Sequence, residues 1–110
     1  MASDPSAKPI RSLCSEDPEL EERIDAFVLR LGETVDAFQD GELAGDWGRL
    51  VDLAQELEAE SRELGYPALA EVARRVAAAS AELSPDAARK SIVDLTELAQ
   101  RVRRGHRSAA

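Results

Sequence analysis

In 110 residues the chain has one cysteine, one histidine, one tryptophan and one tyrosine, and aromatics make up only 4% of it. A single cysteine, Cys14, forms no internal disulfide, so a reducing, cytoplasmic setting is the default expectation. A single histidine, His106, denies the chain the inward-facing Glu-x-x-His pairs that a di-iron bundle needs. Apolar runs are only a few residues long, far short of the roughly 20 that cross a bilayer. The lead segment has no apolar stretch of the kind a secretory signal carries, so neither signal nor membrane is expected. Scarce aromatics give a β-sheet little to work with. No glycine-rich phosphate loop precedes a helix, and no cofactor is expected.

Charge and alanine are plentiful. Charged residues make up 33% of the chain, and the abundant Ala, Leu, Glu and Arg favour helices. The net charge of −8 is uneven, with 16 acids against 4 bases between Glu16 and Glu63. So acidic a half disfavours nucleic acid, whose binding depends on neutralising phosphates. Arg101, Arg103, Arg104 and Arg107 gather at the other end, where cations complement a helix C-terminus.

The apolar pattern predicts an all-α antiparallel up-down four-helix bundle over residues 17–105. Residues 1–16, rich in Ser and Pro, are expected to form a disordered or loosely packed arm. Asp17-Pro18-Glu19 reads as a helix start, and Leu20, Ile24, Phe27, Val28, Leu31, Val35 and Phe38 as one face running to about Asp40. Gly41 and Gly45 bracket a connector, and Asp46 caps a second helix with Trp47, Leu50, Leu53, Ala54, Leu57, Ser61 and Leu64 inward. Gly65 is placed to close that helix, and Tyr66-Pro67 to start a third, with Leu69, Val72, Ala73, Val76 and Leu83 inward. Ser84-Pro85-Asp86 opens a fourth through Ala88, Ile92, Leu95, Ala99 and Val102; Gly105 ends it, and residues 106–110 fray.

Candidate chemistry is sparse. Glu56, Glu60 and Glu63 share a helix face that reads as a solvated ridge, so no metal site is expected. Cys14 in an arm and His106 in a tail cannot be held as a catalytic pair, so the chain does not read as an enzyme.

The register of Leu53-Ala54, Leu57, Gly65, Leu69 and Val72-Ala73, led in by Asp46-Trp47, resembles the central motif of histidine-containing phosphotransfer (HPt) domains. The resemblance puts Gln55 where the family carries its phosphoacceptor histidine. It puts Glu58 at the cation position and Ala59 at the small-residue position. It thus implies a degenerate member of two-component signalling, with nucleophile and phosphate cation lost and only the steric role kept. Val51, Gln55, Glu58, Ala59 and Arg62 then form a docking strip for a receiver domain or a histidine kinase. The expected protein is a monomer or weak homodimer that passes no phosphate. Two other readings stand beside it: a structural bundle for self-association or an unrelated partner, and a phosphorelay protein using His106.

Overall fold

The computed structural model describes residues 8–109, with side chains placed through His106. It contains four helices, α1 (Glu21–Ala44), α2 (Trp47–Glu63), α3 (Pro67–Ala81) and α4 (Pro85–Ala109). No strand occurs among the described residues. Each helix packs on the next and α4 returns to α1; the α2–α3 contact is the most extensive and α1–α2 the thinnest. Small buried residues, Ala54 and Ser61 on α2 and Ala70, Ala73 and Ser80 on α3, let those two helices approach closely.

The helical period fixes the core. Ile24, Phe27, Val28, Leu31, Val35 and Phe38 are buried on α1, and Ala88, Ile92, Leu95, Ala99 and Val102 on α4. Leu20, Trp47 and Leu53, expected inward, are only partly buried and pack along its margin. None of the described helices is long and apolar enough to cross a membrane.

The helix ends depart from the expected ones for local reasons. Asp17 accepts a hydrogen bond at Oδ1 from the Glu19 amide (3.0 Å) and one at its carbonyl from the Leu20 amide (3.1 Å). Asp-Pro-Glu therefore builds a tight lead-in turn, and α1 begins only at Glu21. At its other end α1 runs past Asp40, because Gly41 is buried in the helix against Leu50 rather than lying in a connector. Gly45, with φ 66°, makes the stop, and Asp46 Oδ1 then caps α2 by accepting from the Arg49 amide at 3.2 Å.

The same closure ends α2 and α3. The Tyr66 amide donates to the Ser61 carbonyl (2.8 Å) and the Gly65 amide to Arg62 (3.4 Å), with Gly65 at φ 86°. At the next corner the Ser84 amide donates to Ala79 (3.0 Å) and the Leu83 amide to Ser80 (3.1 Å), with Leu83 at φ 55°. Leu83 was expected in the α3 stripe but is 64% exposed. Pro85 at the head of α4 requires the chain to turn before it, and the turn takes Leu83 out of the helix.

Two terminal expectations need correction. Residues 8–16 are not a loose arm: Ser12 is buried, Ile10 and Cys14 pack on the core, and the Ile10 amide donates to the Arg101 carbonyl at 3.0 Å. Residues 1–7 lie outside the described part. At the other terminus Gly105 does not end α4, which continues to Ala109 instead of fraying from His106; Ala110 is outside the described part. Gly105 is buried because the arm backbone lies against it, and His106 Nε2 is 3.1 Å from Asp25 Oδ1 on α1.

Leucine in the left-handed region costs about 1–2 kcal/mol, and glycine adopts it without that penalty. Leu83→Gly is therefore expected to stabilise the protein by about 0.5–1 kcal/mol, after the entropy of a freer unfolded chain is deducted. A urea melt showing a higher midpoint at unchanged slope is the measurement that checks it.

Candidate functional site

The strip on α2 follows from its register. Leu50, Ala54, Leu57 and Ser61 are turned fully inward, so the residues one position on face outward or to the flank. Gln55, Ala59 and Arg62 are exposed, while Val51 and Glu58 are half-buried. Arg62 Nη2 pairs with Glu58 Oε2 at 2.9 Å across one helical turn. On the neighbouring helix Arg74 binds Glu71 through two bonds of 3.0 and 2.7 Å, and the charges of Glu58 and Arg62 reach that pair. Hydrogen bonding by Arg74 is the main cause that holds the Glu71 carboxyl below the ordinary carboxylate value.

The strip offers no nucleophile, since the Gln55 amide nitrogen has its lone pair delocalised into the carbonyl. Its one cation, Arg62, is neutralised by Glu58. What remains is a polar surface of low net charge with one half-buried apolar side chain, Val51. Such a surface can dock a protein without reacting with it.

The acidic ridge does not simply face solvent. Glu60 Oε2 pairs with Arg30 Nη2 at 3.1 Å and Glu63 Oε1 with Arg23 Nη1 at 2.6 Å, both arginines lying on α1. The hydrogen bond from Arg23, reinforced by its charge, lowers the Glu63 carboxyl below its ordinary value. Arg23 and Arg30 are two turns apart on α1 and match the acids of α2, a signal present in the sequence and missed there. These exposed pairs seam the thinnest helix contact and contribute little each. Among the described residues no three His, Cys, Asp or Glu side chains gather as a metal site. Between α1 and α2 lies a shallow groove with Leu53, Leu57 and Ala37 on its floor and Arg30, Glu33 and Glu60 on its rims.

Tyr66 and His106 meet α1 beyond the C-terminal end of α2. Tyr66 is buried and stacks on Phe27, with ring centroids 5.7 Å apart. The His106 imidazole is packed rather than frayed, with Nε2 turned to Asp25. A carboxylate at that nitrogen repels a phosphoryl group, which disfavours relay chemistry there.

Comparison with protein-family models, curated proteins and solved structures finds no match to the chain. The HPt resemblance rests on the residues quoted for it.

Two outcomes follow from these placements. Gln55→Ala is expected to change stability by no more than about 0.5 kcal/mol in a chemical melt, because the side chain is exposed on a helix. Tyr66 offers a pH dependence that can be read on one residue, since it is the only tyrosine. Burial first, and the Asp25 charge second, raise its phenol above the ordinary value of 10.0. The folded state thus favours the neutral phenol. That stability is fully present below about pH 10 and is lost as pH rises through the folded value. Phenolate absorbance should appear at higher pH in the native than in the unfolded chain, and Tyr66→Phe should remove the signal.

Proposed function

We propose that the chain is a non-catalytic HPt-like signalling module, an antiparallel up-down bundle that docks a receiver domain or a histidine kinase through α2 without accepting phosphate. The observation that supports this reading is Gln55. It stands exposed on α2 where the resemblance puts the phosphoacceptor, with the Glu58–Arg62 pair one turn further on. Ala59 is small enough to leave room for an approaching domain, and Val51 supplies an apolar contact beside it. Glutamine keeps a donor and an acceptor at the centre of the strip, so a partner can be recognised there while the transfer step has no nucleophile. A module of this kind occupies the surface that a phosphotransfer domain uses, and so competes with it.

The test is to mix the chain with receiver domains carrying radiolabelled aspartyl phosphate, following binding by calorimetry and label by gel. Saturable receiver binding with no label on the chain is expected, and Val51→Asp combined with Ala59→Arg should abolish binding with helical content retained. Label stably on the chain, or no receiver bound, would overturn the reading.

Exposed leucines favour a second reading, self-association. Leu29 and Leu43 are 80% and 88% exposed on roughly one side of α1. Sedimentation with the receiver titration separates the two: a tight dimer that dissociates on Leu43→Glu and captures no receiver belongs to the second reading.

A further inference from the structure

The arm adds a tie to those the helices make. α2 and α4 make no extensive contact with each other, and the arm joins their ends. Toward α4 the Ile10 amide donates to the Arg101 carbonyl (3.0 Å), and Arg101 Nε donates to the Lys8 carbonyl (2.8 Å). Toward the α2–α3 corner the Leu13 amide donates to the Gly65 carbonyl (2.9 Å), and the Ser12 hydroxyl donates to the Leu64 carbonyl. Between those anchors Ile10 and Ser12 are turned in and Arg11 and Leu13 out, and a turn closed by the Ser15 amide on the Ser12 carbonyl (3.2 Å) brings Cys14 back onto the core.

The seat is cut for a backbone at two points. A Cβ on Gly65 would stand 2.7 Å from both the Cys14 nitrogen and Ser12 Oγ, and a Cβ on Gly105 would collide with the Ile10 carbonyl. No residue but glycine fits either place while the arm is seated. Ser12 is closely held: it is buried, and its hydroxyl also accepts from the Cys14 amide at 2.9 Å.

We propose that Ile10–Cys14 is a latch, a segment that opens and closes as a unit, independently of the bundle, and ties the α2–α3 corner to the last turns of α4 when closed. Independence follows from how it is held. Its attachments are a handful of hydrogen bonds, the small buried side chain of Ser12 and two half-buried side chains, whereas the helices carry their own ladders and a shared core. The Leu64 and Gly65 carbonyls lie at a helix end, where water replaces the arm as donor without unwinding α2. Charge or bulk at Ser12 opens the latch, because the closed seat has no volume for either.

Cys14 reports the latch, being the only thiol and half-buried when the arm is seated. The test is its alkylation rate by N-ethylmaleimide in the full chain under native conditions. Alkylation should be slower than in the denatured chain, with a much shallower urea dependence than global unfolding. Gly105→Ala and Ser12→Asp should each speed it about tenfold or more, with helical circular dichroism retained. Alanine favours the helix at Gly105, so α4 should persist in that variant while the arm is displaced. If Gly105→Ala abolishes the helical signal, Ser12→Asp alone decides. A wild-type rate equal to that of the denatured chain, a urea slope equal to that of global unfolding, or wild-type reactivity in the folded variants would overturn the latch.

Discussion

The closure of α2 at Gly65 is the constraint on which the other parts converge. A left-handed residue there lets the Tyr66 amide reach back to Ser61, which satisfies a helix-end carbonyl and reverses the chain within three residues. The reversal sets α3 against α2, and the small residues along both helices turn that pairing into the largest contact of the fold. It also carries Tyr66 onto Phe27 of α1 and presents the Leu64 and Gly65 carbonyls to the arm. A side chain at this position would meet both a conformational penalty and the arm backbone. The strip proposed for docking is the outward side of the helix that this turn ends, so its orientation depends on the same residue.

Much of this was legible because the signals were local and repeated. The intervals of α1 and α4 predict their buried faces residue by residue, and Asp46, Gly65 and Pro67 stand at the helix ends where their chemistry puts them. Local signals fail where a distant segment decides the outcome. Gly105 reads as a terminator until the arm lies across it, and then it is a helical residue at a close approach. Gly41 reads as a connector until Leu50 is pressed against it. Leu83 reads as stripe because its spacing fits the helix, but the turn ahead of Pro85 removes it. The arm was the largest miss. Ile10, Ser12 and Cys14 span only five residues, too short a run to tell a seated segment from chance.

At the strip the same division holds. Exposure of Gln55 and half-burial of Val51 follow from the phase of α2 alone, whereas the electrostatics depend on partners. The resemblance puts Glu58 at the cation position, and Arg62 pairs with it one turn on. Glu60 and Glu63 were read as a solvated ridge; they stay partly exposed and also pair with arginines on α1.

Those pairings bear on how so acidic a chain holds together and on what it can bind. The stretch from Glu16 to Glu63 carries four times as many acids as bases, enough like charge to oppose packing α1 beside α2. All but one of its four arginines are spent on that problem: Arg23 and Arg30 bridge the helices and Arg62 neutralises Glu58. None of these three stands free to hold a phosphoryl group on the α2 surface. A phosphotransfer site needs a cation unopposed beside its nucleophile, and here the cations serve the acids of the fold. The pairing that lets so acidic a bundle pack thus also keeps these three cations engaged along α2.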